Sequence, residues 1–230
     1  CAGYTEFKIS TGYGKKKPKI STVIKEGFIP TAGNATIYNE GGKSPGIAGG
    51  YTLFSGTTTA GDARIFAHGG SNKGKGGSVT FSDTSRAGSA RLVAEAGSDG
   101  GYGGQIIFKD KSEGENVQLQ IAANGVLDIS QHSDKLTIST LELSEGNIIV
   151  SLGRKNSGLN VSQELTLRCK KMKFKFVQLA GKFKFNVKYT VLTWPNLSVY
   201  QTAQFTANKI AGIKPTFTIA GNHLKVEYKK

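Results

Sequence analysis

Apolar and polar residues alternate with period two along much of the chain, in short segments closed by turn residues. Ala63-Arg64-Ile65-Phe66-Ala67, Ser78-Val79-Thr80-Phe81 and Gln105-Ile106-Ile107-Phe108 are examples, each bounded by Gly, Ser, Asp or Asn. Such alternation sends successive side chains to opposite faces of a strand. No segment has the length or spacing of an amphipathic helix. The pattern returns in Met172-Lys173-Phe174-Lys175-Phe176-Val177 and in Phe183-Lys184-Phe185-Asn186-Val187-Lys188. These predict two further strands with phenylalanine inward and lysine outward. The predicted class is all-β.

The middle of the chain also repeats. Thr31-Ala32-Gly33-Asn34-Ala35-Thr36-Ile37 is followed by Thr59-Ala60-Gly61-Asp62-Ala63-Arg64-Ile65 and by Arg86-Ala87-Gly88-Ser89-Ala90-Arg91-Leu92. A decayed copy runs from Glu113 to Leu119. Glycine pairs at Gly49-Gly50, Gly76-Gly77 and Gly103-Gly104, and phenylalanines at Phe54, Phe81 and Phe108, advance together by 27 residues. A period of this size marks a solenoid. Each unit is expected to contribute two or three short strands, pairing in parallel with the next unit about 4.8 Å away. Ile37, Ile65, Leu92 and Leu119 then stack inside, as do Phe54, Phe81 and Phe108. The predicted architecture is a right-handed parallel β-helix, the hand that parallel crossovers favour. Its glycine-rich tracts, Gly69–Gly77 and Gly97–Gly104, are expected to be turns in which glycine supplies positive φ. The expected organisation is an N-terminal cap and basic segment over residues 1–27, coils over 28–188 and a C-terminal β cap over 189–230.

These motifs resemble the repeat of bacterial autotransporter-type passenger proteins, which are secreted right-handed β-helices. Leu136-Thr137-Ile138-Ser139-Thr140-Leu141, Asn147-Ile148-Ile149-Val150-Ser151-Leu152-Gly153 and Leu159-Asn160-Val161 are similar to the family's later coils. Tyr189-Thr190-Val191-Leu192-Thr193-Trp194, Phe205 and Leu224-Lys225-Val226-Glu227-Tyr228 resemble its closing segment. The resemblance spans about residues 28–228. It implies a bacterial protein that is secreted or held at the outer membrane. In that family a translocator barrel follows the passenger, whereas this sequence stops at Lys230.

Composition narrows the classes. Apolar residues make up 37% and charged residues 20% of 230 residues, enough to bury a core. Glycine (31 residues) without a G-X-Y period excludes collagen. No apolar run is long enough for a membrane-spanning helix. The lack of an initiator Met and of a signal peptide is the form expected of a mature or excised segment. Net charge is +14, and it is uneven. Residues 1–30 hold six lysines and two glutamates, and residues 165–230 hold 13 basic residues against Glu227 alone. Residues 31–164 are slightly acidic. Polybasic ends attract polyanions through screened Coulomb forces. The candidate polyanion-binding residues are therefore Lys15, Lys16, Lys17, Lys19, Lys171, Lys173, Lys175, Lys182 and Lys184. Lysine on edge strands also discourages end-to-end stacking, which explains the same residues without a ligand.

For catalysis the only testable set is Asp83 and Asp110 with Arg64 and Arg91, each pair one repeat apart. Paired carboxylates with a cation in one groove would suit a polysaccharide lyase or hydrolase. Phe-x-Asp before Ser, Thr or Lys is also an ordinary turn, with aspartate bonding its own backbone. His68, His132 and His223 are out of phase with one another, so no metal site or triad is predicted, and no cofactor is implied. Trp194 is either a sugar-stacking platform or a plug in the core of the cap. Asn34, Asn160 and Asn196 open glycosylation sequons. Cys1-Ala2-Gly3 has the form of a lipidated bacterial N-terminus, and membrane attachment is expected only in that case. A disulfide from Cys1 to Cys169 is the alternative, as is Cys169 acting as a small core residue.

The function expected is non-enzymatic: an adhesin or structural component at a bacterial cell surface, binding an anionic surface, a glycan or other protein subunits. Stacking of coils offers a route to homo-oligomers or filaments. The first alternative is a polysaccharide lyase or hydrolase. The second is a polyanion binder acting through the basic ends, without sequence-specific nucleic-acid recognition.

Overall fold

The computed structural model describes residues 8–10, 29–153, 158–178, 182–195, 200 and 204–230. Lys15, Lys16, Lys17, Lys19, Cys1 and the Asn196 sequon lie outside these residues. Among the described residues the chain is nearly all-β, without an α-helix. The short alternating segments form strands that sort by turns into two sheets. One sheet holds, in spatial order, β1 (Lys8–Ser10), β3 (Tyr51–Phe54), β5 (Ser78–Phe81), β7 (Gln105–Phe108), β9 (Val126–Asp128), β11 (Asn147–Leu152), β13 (Met172–Gln178) and β15 (Phe205–Ala207). The other holds β2 (Thr36–Asn39), β4 (Arg64–Ala67), β6 (Arg91–Ala94), β8 (Gln118–Ile121), β10 (Lys135–Leu143), β12 (Gly158–Leu167) and β14 (Tyr189–Thr193). It ends with β17 (His223–Glu227) and β16 (Thr216–Ala220). Pairing is parallel except where β1 joins β3, β17 joins β14 and β16 joins β17.

Register follows the repeat. Phe54 pairs with Phe81 and Phe81 with Phe108, while Ile37, Ile65, Leu92 and Leu119 are successive partners in the other sheet. The three phenylalanine rings stack with centroids 4.8 and 4.9 Å apart and planes within 11°. All three are fully buried, and most inward side chains of both sheets belong to one apolar cluster. A third line of parallel bridges runs Thr31, Thr59, Arg86, Glu113. Behind it Ser85 and Ser112 are buried, each hydroxyl donating to the carbonyl three residues earlier at 2.7 Å.

Two local expectations are corrected. In the Gly69–Gly77 tract no glycine has positive φ. The left-handed positions are Asn72 and Lys73, the centre of a tight turn in which Gly74 N–H donates to Ser71 O at 2.8 Å. In Gly97–Gly104, Asp99 and Gly100 take that role. The remaining glycines are there because backbones crowd: a Cβ on Gly49 would overlap the carbonyl of Gly76, and one on Gly76 that of Gly103. Residues 40–50, 68–77 and 95–104 are thereby hairpin arms that hydrogen-bond to one another, as in Gly42 N–H to Lys75 O at 2.7 Å and Gly70 N–H to Tyr102 O at 2.8 Å. The second correction is at Phe183–Lys188, which is a turn rather than a strand. Asn186 sits at φ 59°, and the Lys184 N–H donates to the Tyr189 hydroxyl at 2.7 Å, which closes the segment on itself. Phe183 and Phe185 are half-buried and Val187 is exposed. β13 does alternate as expected, with Met172, Phe174 and Phe176 buried and Lys173 and Lys175 exposed.

Near the C-terminus Trp194 is buried and meets Tyr200 edge-on at 5.4 Å. That places it in the core and removes it as a sugar platform. Tyr228 is buried as well, its hydroxyl donating to Asn208 O at 2.8 Å, and burial pushes its phenol above the usual tyrosine range. Cys169 is half-buried with a free thiol, packed against the apolar cluster.

Candidate functional site

Arg64 opens β4 and Arg91 opens β6, both after the glycine turn of the repeat, so they are direct neighbours in register. Both point outward and are exposed. The same outward face carries Tyr38 and Phe66, also register partners, whose rings stack at 5.2 Å and 14°. His68 leans toward both rings, at 5.7 and 6.3 Å, and its Nδ1 lies 3.1 Å from Glu95. Arg91 donates to the amide oxygen of Gln120 at 2.9 Å, while neither arginine forms an ion pair among the described residues.

Asp83 and Asp110 lie elsewhere, in the turns that leave β5 and β7 toward the third bridge line. Both have positive φ, 57° and 55°. Each carboxylate reaches the turn one repeat earlier: Gly56 N–H donates to Asp83 Oδ2 at 2.9 Å, and Asp83 N–H to Asp110 Oδ2 at 3.3 Å. Both aspartates thus serve turns, as the alternative reading expects, but the partner is the neighbouring turn rather than the aspartate's own backbone. The structure therefore pairs the two aspartates with each other and the two arginines with each other. It does not bring the aspartates to the arginines.

A larger hollow of about 550 Å³ opens between residues 111–115 and 132–137, where the decayed repeat copy meets the longer strand β10. Its floor is His132, 5% exposed, with Nδ1 2.8 Å from Asp134 O and Nε2 2.7 Å from Ser112 O. Its rim holds Glu113 and Glu115, both facing Arg86 at 3.4 and 3.7 Å. With both ring nitrogens engaged by backbone, His132 ties two loops together. Among the described residues no group of three His, Cys, Asp or Glu side chains has the geometry to hold a metal ion.

The sharpest electrostatic feature is the C-terminal portion. Lys171, Lys173, Lys175, Lys182 and Lys184 are all exposed, and none has a carboxylate partner among the described residues. Of the 13 basic residues after position 164, only Arg168, with Glu142, and Lys229, with Glu227 at 3.8 Å, are so paired among the described residues. Comparison with known protein families, curated proteins and solved structures finds no match. The residues themselves thus carry the functional reading.

The lysines are legible in the sequence as a charge excess. The Tyr38–Phe66 stack is not, although both residues follow the inward Ile37 and Ile65 at the same phase of the repeat. That shared phase is the signal the sequence offers.

Proposed function

We propose that the chain is a right-handed parallel β-helix that works without catalysis at a bacterial surface, as an adhesin or a component of a surface assembly. In this reading its C-terminal lysines hold it to an anionic surface or glycan. The alternation of strands β2 to β15 between two sheets, with parallel partners one repeat apart, supports the helical winding, and parallel crossovers favour the right hand. The passenger-like repeats support secretion to the cell surface.

One observation carries the binding role: among the described residues, the exposed lysines of residues 171–184 have no neutralising carboxylate. Clustered like charge is unfavourable within the protein alone and attractive to a polyanion, whose field it complements. The engagement of Asp83 and Asp110 by backbone N–H groups favours this reading over a lyase or hydrolase.

Heparin and lipopolysaccharide are suitable probes. The triple variant Lys171→Gln, Lys173→Gln, Lys175→Gln is expected to bind both more weakly, with a shallower dependence of affinity on salt, because fewer counterions are released. Wild-type affinity in the variant would remove the lysine surface as the binding element.

A further inference from the structure

Two guanidinium groups side by side in adjacent strands repel, and like charges directly opposite in a sheet cost stability. Arg64 and Arg91 are such a pair. Among the described residues the Arg64 side chain makes no hydrogen bond or ion pair, and the Arg91 guanidinium bonds only the neutral Gln120 at 2.9 Å. Threonine stands at the same position in β2, so the repeat does not require a cation there. An anion placed between them would turn the repulsion into two charge-assisted hydrogen bonds.

The next outward column sets what else that ligand carries. Tyr38 is 57% exposed, its ring is backed on one side by Phe66, and its hydroxyl makes no hydrogen bond among the described residues. Buried Val93 follows Phe66 as an apolar floor, and Gln120 follows Val93. Beside Gln120 a hollow of about 110 Å³ is lined by Arg91, Gln118, Thr140 and Glu142, the last paired with Arg168. Crossing the strands from β2 to β8 covers about 15 Å, at about 4.8 Å per step. Along that line lie an open aromatic ring, two unneutralised cations, and then amides and a hydroxyl. The line is closed by Glu164 on β12, register partner of Thr140, which would repel an anionic chain.

We propose that this outer face of β2, β4, β6, β8 and β10 binds a short stretch of acidic polysaccharide. A sugar ring packs on Tyr38, its carboxylate or sulfate bridges Arg64 and Arg91, and hydroxyls of the following sugars bond Gln118, Gln120 and Thr140. Aromatic rings and arginines also suit single-stranded nucleic acid. The glycan is favoured because the two rings are closed on each other at 5.2 Å, leaving no slot for a base between them, and because the face continues in hydroxyl-matching amides. This site shares no residue with the C-terminal lysines, so the two proposals stand or fall separately.

The test is binding of polygalacturonate, its methyl-esterified form and oligodeoxythymidylate to the intact chain by calorimetry. Polygalacturonate is expected to bind, and the neutral ester to bind at least about tenfold more weakly, as loss of charge-assisted hydrogen bonds entails. Arg64→Gln with Arg91→Gln, and separately Tyr38→Ala, are expected to weaken polygalacturonate binding by about tenfold or more. Lys109→Gln with Lys111→Gln leaves that affinity within a factor of about two of wild type, since those residues follow β7 on the other sheet. The double arginine variant is expected to melt no lower than wild type, which separates lost binding from lost folding. No binding of polygalacturonate, equal binding by the arginine variant, or tighter binding of oligodeoxythymidylate through the same residues would each overturn the proposal.

Discussion

Gly76 faces the backbone of Gly103, its equivalent one repeat along, so closely that a Cβ on Gly76 would overlap the Gly103 carbonyl. Gly49 stands in the same relation to Gly76. Neither Gly76 nor Gly103 has positive φ, so absence of a side chain, not backbone freedom, is what the site requires. The stacked hairpin arms depend on that closeness.

Gly76→Ala is therefore expected to destabilise by about 3 kcal/mol, the upper end for overpacking, because the atom it meets is backbone and cannot swing away. Gly56→Ala is the control. Gly56 has φ 63°, and a Cβ there would meet nothing within 4 Å, so only the left-handed conformation resists it, at about 1–2 kcal/mol. Urea denaturation compares the two, and equal losses would show that crowding between arms contributes little.

Phe81 lies in the middle of the ring stack, with Phe54 at 4.8 Å and Phe108 at 4.9 Å. Phe81→Ala is expected to cost about 3–5 kcal/mol. Phe108→Ala should cost less by about 0.5–1.5 kcal/mol, since among the described residues that ring has one stacked phenylalanine neighbour and Phe81 has two. Thermal melts of the two variants give the comparison.

Asp83 combines a left-handed backbone with a carboxylate that accepts the Gly56 N–H. Asparagine keeps an acceptor oxygen and tolerates the conformation, whereas alanine keeps neither. Asp83→Ala is expected to lose about 2 kcal/mol and Asp83→Asn less than about 1 kcal/mol. A carboxylate needed for its charge rather than its position would reverse that expectation, with asparagine as damaging as alanine.

Tyr228 gives a pH dependence. Burial raises its phenol in the folded chain, while in the unfolded chain it ionises near the ordinary value of about 10. The stability that goes with the neutral phenol is complete below pH about 10 and declines as pH rises above it, because the unfolded state then loses its proton first. Tyr228→Phe is expected to be about 1 kcal/mol less stable at pH 7, from loss of the bond to Asn208 O, and to flatten the decline above pH 10. Denaturation midpoints between pH 8 and pH 11 measure both effects.

Much of this molecule is legible in its residues alone. The alternation in Ser78-Val79-Thr80-Phe81 predicts which side chains are buried, and the shared phase of Phe54, Phe81 and Phe108 predicts that they pair. Phe183–Lys188 alternates equally well and is not a strand. There the Tyr189 hydroxyl takes the Lys184 N–H, a contact no periodicity signals. The candidate site divides in the same manner. The Arg64–Arg91 and Asp83–Asp110 pairings follow from the repeat, but whether the pairs meet depends on where each turn points.

The sequence by itself determined the all-β class, the inward and outward faces of most strands, and the register of equivalent positions. These follow from period two and the 27-residue repeat, both of which act through neighbours along the chain or one repeat away. Only the tertiary structure decided that the glycine tracts form crowded hairpin arms, that Trp194 is core, and that the aspartates turn to the preceding repeat's backbone. It also set Tyr38 and Phe66 beside two unneutralised arginines. Each of these depends on distances between backbones and side chains from different elements. Local pattern limits those distances without setting them.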